Sequence, residues 1–120
     1  MKEFKNIEEL ANNLGDGGQF NQDKEYSTIG EVIDDLMNLA NTDKVYAFYD
    51  EHQGFSPSDK FRNSSLEDAT KEDFESEMEE LLEHANNIIS IADKPLTEED
   101  IDYIKEDMES RGQDSDDFKY

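Results

Sequence analysis

The feature that most constrains this chain is its charge: 33 Asp and Glu stand against 11 Lys and Arg in 120 residues, a formal net charge of -22. Carboxylates in such excess repel one another in any compact state. A fold must therefore spread them over its solvent-facing side and offset the repulsion with buried apolar side chains. Only 33% of the residues are apolar, and low hydrophobicity with high net charge is also how disordered chains are built. Seven Phe and five Tyr, with apolar residues recurring at helical steps, decide for a folded chain. At this length that is one domain. We expect it to span residues 1–112, followed by a mobile acidic tail, 113–120, which has no periodicity.

The same charge excludes several functions. A direct nucleic-acid binder needs a basic footprint to replace counterions on the phosphates, and no segment here is basic. An anionic membrane would repel the chain, and no stretch approaches the roughly 20 apolar residues of a membrane span. The start, Met1-Lys2-Glu3-Phe4-Lys5, lacks the apolar run of a signal peptide. Without Cys there is neither a disulfide framework nor thiolate chemistry. These points together lead us to expect a cytoplasmic protein.

The spacing of apolar residues predicts the elements. Phe4, Ile7, Leu10 and Leu14 share a face, with Gly15 as a stop, so a first helix is expected over about 6–14. Thr28 and Glu31 form a capping-box pair ahead of Ile29, Val32, Ile33, Leu36 and Leu39, which leaves Asp34 and Asp35 on the outer side. Val45 to Tyr49 is short, aromatic and apolar on both faces, and reads as a strand. Lys2 to Lys5 or Lys60 to Arg62 are its candidate partners, and the turn residues Gly54 and Pro57 lie between. A long helix is expected after Ser65 or Thr70, with Phe74, Met78, Leu81, Leu82, Ala85, Ile88, Ile89 and Ala92 inward, ended by Pro95. A last helix is capped by Thr97 with Asp100 at N3. It is stapled by Leu96 on Ile101, continued by Ile104 and Met108, and closed by Gly112. The expected fold class is therefore α+β: about four helices with a small antiparallel sheet.

Nothing in the sequence asks for catalysis. Carboxylate pairs are too abundant to mean anything, and His52 and His84 complete no motif and read as ordinary surface or boundary residues. Glu-x-x-His, needed for a carboxylate-bridged metal pair, fails because Leu81 and Tyr49 stand three residues before the two histidines. Asp16-Gly17-Gly18 and Asp114 to Asp117 lack the alternating ligands and closing Glu of a calcium loop. No phosphate-binding glycine motif is present. We expect no enzyme, no cofactor and no metal.

What remains is the distribution of acid. Residues 66–109 hold 17 Asp and Glu against Lys71, Lys94 and Lys105. Glu72, Glu75, Glu79 and Glu83 follow three- and four-residue steps, with Asp73, Glu77 and Glu80 as a neighbouring row, so their Cβ atoms would lie about 5 to 6 Å apart on a helix. Like charges at that spacing cost a helix a few tenths of a kcal/mol per pair, so stability alone does not select them. Duplex DNA carries a similar line of charge, one per roughly 1.7 Å of axis. A cleft built for DNA has Lys and Arg already oriented to receive such a line.

In size, charge and acidic helices the chain resembles the small DNA-mimic inhibitors of phages and mobile elements: the anti-restriction proteins of the Ocr and ArdA type and acidic anti-CRISPR proteins. The stretch Glu25-Tyr26-Ser27-Thr28-Ile29-Gly30-Glu31-Val32 looks like the Glu-Tyr-Ser entry into an acidic helix of ArdA. The chain lacks ArdA's three-domain length and differs from Ocr in its strand segment, so no target is carried over. The resemblance implies a stoichiometric inhibitor that occludes the DNA-binding groove of a host defence nuclease or other DNA-handling protein, inside a bacterial cell. Glu72, Asp73, Glu75, Glu79, Glu80, Glu83, Glu98, Glu99, Asp102 and Glu106 are the expected contacts, and a homodimer that lengthens the charged surface stays open. The alternative is an acidic immunity or antitoxin protein that neutralises one toxin through an aromatic patch such as Tyr46, Tyr49, Phe55 or Tyr103.

Overall fold

A computed structural model of the chain describes residues 5–15, 24–49, 57–70 and 72–118. Among these residues six helices occur: α1 (Ile7–Gly15), α2 (Ile29–Ala40), α3 (Asp43–Phe48), α4 (Asp59–Arg62), α5 (Glu75–Asp93) and α6 (Glu98–Ser110), with short 3-10 turns at Glu67–Thr70, Glu72–Phe74 and Ser115–Asp117. No strand occurs among the described residues, and the only sheet-like pairing there is one isolated antiparallel bridge, Thr28 to Ser65. The expected α+β class with an antiparallel sheet is therefore corrected to an all-helical one.

The reason lies in Val45 to Tyr49. Thr42 and Asp43 restart a helix two residues after α2 ends, and the amides of Tyr46 and Tyr49 donate to the carbonyls of Thr42 and Val45 at 2.8 Å each. Val45 and Tyr49 belong to the main hydrophobic cluster, with α1, α2 and α5. Ala47 and Phe48 belong to a second cluster with Ile104 and Met108 of α6. An element apolar all round is buried on both sides, and a helix wedged between two clusters meets that description as well as a central strand does. It also satisfies its own backbone groups, which a lone strand cannot. Of the two candidate strand partners, Lys60 to Arg62 lies in α4, and Lys2 to Phe4 lies outside the described residues.

Local signals set the helix ends. The Thr28 hydroxyl accepts from the Glu31 amide at 3.4 Å, and the Glu31 carboxylate receives the same hydroxyl in place of the Thr28 amide, so half of the expected box forms. The box at α6 is complete: the Asp100 amide donates to Thr97 Oγ1 at 3.2 Å and the Thr97 amide to Asp100 Oδ2 at 3.1 Å. Gly112 adopts φ +81°, and the amides of Gly112 and Gln113 donate back to Glu109 and Met108, the double closure that favours glycine there. Gly15 acts differently from a stop. It is the last helical residue, and an added Cβ would lie 2.4 Å from the Lys24 carbonyl oxygen, so close chain approach is what requires glycine.

The long helix is shorter than its apolar stripe suggested. Ser65 accepts from the Asp68 amide and so caps a 3-10 turn, and α5 proper begins after Phe74, whose ring turns inward to meet Phe61 at 5.5 Å. At its other end Lys44 of α3 donates to the Ala92 carbonyl at 2.9 Å and to that of Lys94, covering α5's orphan acceptors with a positive charge. Burial there pushes the Lys44 ammonium below its ordinary value. Beyond α6, the segment expected to be a tail carries the Ser115–Asp117 turn and brings Phe118, buried, into the second cluster.

Candidate functional site: an acidic docking surface

The carboxylates divide into two sets. One set is tied into the fold. Asp34 pairs with Arg62 at 2.7 Å, Asp35 with Lys24 at 3.0 Å, Asp100 with Lys94 at 3.4 Å, and Asp107 with Arg111 at 2.8 Å. Asp43 stands 3.8 Å from the same guanidinium. Glu77, read from sequence as part of an outer row, instead accepts from the Ser58 amide and hydroxyl at 3.0 Å and so helps hold the start of α4.

The other set contains all ten expected contact residues. Glu72, Asp73, Glu75, Glu79, Glu80, Glu83, Glu98, Glu99, Asp102 and Glu106 are every one exposed, and among the described residues none of them enters an ion pair. The placement follows from periodicity. On α5 the buried stripe is Leu81, His84, Ala85, Ile88 and Ile89, and at about 100° per residue Glu75, Glu79, Glu80 and Glu83 fall opposite it. On α6 Ile104 and Met108 are buried, and Glu98, Glu99, Asp102 and Glu106 face away.

The ten are not one array. Glu72 and Asp73 sit on a 3-10 turn, Glu75 to Glu83 occupy the first half of α5, and its outer face then continues through Asn86, Asn87 and Ser90 before the acids of α6 begin. Both helices pack on α3 more than on one another. Each line is nevertheless dense. Four charges across eight residue steps, about 12 Å of axis, stand on average roughly 4 Å apart, close to the approximately 3.4 Å of a single DNA strand. The molecule measures 44 × 29 × 23 Å.

The aromatic patch is mostly used internally. Tyr49 is buried, its hydroxyl hydrogen-bonded to His84 Nδ1, with the two rings edge to face at 5.9 Å. His84 is correspondingly buried, at 5% exposure, which corrects its reading as a surface or boundary residue. The signal was its place in the inner stripe, three residues after Leu81 and four before Ile88. Tyr46 lies under the Arg111 guanidinium, 4.2 Å from the ring centroid. Phe55 and His52 lie outside the described residues. Tyr103 alone of the described patch is exposed, at 50%, stacked on Phe48 with centroids 5.0 Å apart.

Asp35, expected on the outer side, has its side chain 15% exposed and receives the Tyr26 hydroxyl at 2.5 Å as well as Lys24. Burial works to raise its pKa, but the bonds from Tyr26 and Lys24 outweigh that and hold the carboxyl below its ordinary value. Burial, and then the same contact with Asp35, push the Tyr26 phenol up. A carboxyl depressed in the folded state stabilises above its unfolded pKa and loses that contribution as pH falls through the folded one. Asp35→Asn keeps an acceptor for Tyr26 and removes only the charge. We expect it to cost about 1–2 kcal/mol in urea unfolding at pH 7, with wild type and variant converging as the pH falls below the ordinary carboxylate range. A difference that persists undiminished there would assign the loss to packing.

Among the described residues no group of three or more His, Asp or Glu could hold a metal ion, and no helix is long and apolar enough to cross a membrane. No protein-family model, curated protein or solved structure matches the chain.

Proposed function

We propose that this chain is a stoichiometric protein inhibitor that offers the outer faces of α5 and α6 to a basic DNA-binding groove, in the manner of the anti-restriction and anti-CRISPR DNA mimics it resembles. The observation that carries this reading is the division of the acids. The fold spends Lys24, Arg62, Lys94 and Arg111 on Asp34, Asp35, Asp43, Asp100 and Asp107, and among the described residues ten others are exposed with no ion pair, eight of them in rows of near-strand density on α5 and α6. A protein selected for stability alone gains by neutralising or dispersing such rows. A partner with Lys and Arg fixed for phosphates supplies the missing counter-charge at no cost to itself. The antidote reading has less to stand on, because Tyr46 and Tyr49 are engaged within the fold.

The test is competition. Tagged protein is used to capture partners from a bacterial lysate at low salt, and the complex is challenged with duplex DNA or with salt. The expected result is release by both, with more than a ten-fold loss of affinity as several exposed pairs of about 0.2–1 kcal/mol each are screened. A partner that stays bound through both challenges, or that binds duplex DNA and this chain together, contradicts occlusion of a DNA groove.

A further inference from the structure

Among the described residues one local arrangement occurs three times: a cation over an aromatic ring, held by a nearby carboxylate. Arg111 lies 4.2 Å from the Tyr46 ring centroid and 2.8 Å from Asp107. Lys94 lies 5.2 Å from Phe48 and 3.4 Å from Asp100, and Lys24 lies 4.9 Å from Tyr26 and 3.0 Å from Asp35. Tyr103 has the ring and the acids of this arrangement with no cation over it among the described residues. Glu99 stands one turn before it and Glu106 one turn after, both exposed on the same side of α6. Phe48 backs the ring at 5.0 Å and an interplanar angle of 20°, and the residue remains 50% exposed.

We propose that the outer face of α6 at Tyr103 seats an arginine side chain of the basic partner, its guanidinium stacked on the ring and paired with Glu99 or Glu106. The inference rests on the proposed reading that these acids meet a basic protein surface, and it names the contact that gives that surface specificity. Charge complementarity selects a cation. The flat exposed ring selects arginine over lysine, because a guanidinium is planar, weakly hydrated and able to use two donors on one carboxylate while stacking, whereas an ammonium is a compact, strongly hydrated point charge. A ring already held by Phe48 loses little freedom on binding.

The test titrates the full chain with hexa-arginine and with hexa-lysine at one ionic strength, measuring affinity calorimetrically and the tyrosine ring signals by NMR. Hexa-arginine should bind more tightly, with Tyr103 the most shifted tyrosine. Tyr103→Leu, which keeps apolar bulk at an exposed site, should weaken hexa-arginine by about two- to five-fold and leave hexa-lysine unchanged, while Tyr103→Phe retains the preference. Equal affinities for the two peptides, or an arginine preference that survives Tyr103→Leu, overturn the seat. If both peptides bind equally and shift only the acidic rows, the acidic-surface reading stands and the seat falls. If neither binds, both fall together.

Discussion

Replacing Glu75, Glu79, Glu80 and Glu83 together by Gln is expected to lower affinity for the captured partner by at least ten-fold while making the protein more stable. The two effects have opposite signs for one reason. The four side chains are exposed, and they stand at three- and four-residue steps, where each like-charge pair costs a few tenths of a kcal/mol. Gln is as good a helix former as Glu. Removing the row should therefore return about 1 kcal/mol, reduced a little by the loss of Glu75 from the favourable first turn of α5. In the proposed complex the same charges would face cations, so their loss is expected to be felt in full. Raising salt should imitate the variant, stabilising the free chain and weakening the complex. Urea unfolding and a binding isotherm on the same preparation read both signs. Loss of stability in the quadruple variant would mean these acids hold the fold, and unchanged affinity would remove α5 from the interface.

Phe61→Ala should have the largest effect on folding. Phe61 is fully buried on the short helix α4, packed against Phe74 at the entry to α5, and α4 itself lies on α2. Truncating a buried phenyl ring costs about 3–5 kcal/mol. Small domains hold about 5–15 kcal/mol in all, and a charge of -22 works against the compact state. The variant is therefore expected to unfold near ambient temperature at low salt and to recover part of its helical signal when salt is added. A shift of less than about 1 kcal/mol in its unfolding free energy would place Phe61 outside the cooperative core.

Helix positions that depend on a single element were legible in the residues. The apolar steps of α2, α5 and α6, the Thr97 box, the Gly112 closure and the outward placement of the eight acids on α5 and α6 follow from a period of 3.6 and from local hydrogen bonding. Neither needs to know what lies across the core. The acids tied into the fold were not legible. Glu77, Asp35 and Asp107 sit in the same kind of charged run as their exposed neighbours, and only the approach of Ser58, Tyr26 and Arg111 from elsewhere in the chain or beyond the helix end distinguishes them.

Val45 to Tyr49 marks the boundary most sharply. A short segment apolar all round carries no period, so its sequence says that it is buried and leaves its backbone undecided. The decision belongs to tertiary structure: two clusters on opposite sides, and no strand to pair with among the described residues, favour the element that satisfies its own hydrogen bonds. Which ring of the aromatic patch stays exposed was settled in the same way. Tyr46, Tyr49 and Tyr103 are alike in sequence, and the positions of Arg111, His84 and Phe48 decide that Tyr46 is covered, Tyr49 is buried and Tyr103 is left facing solvent.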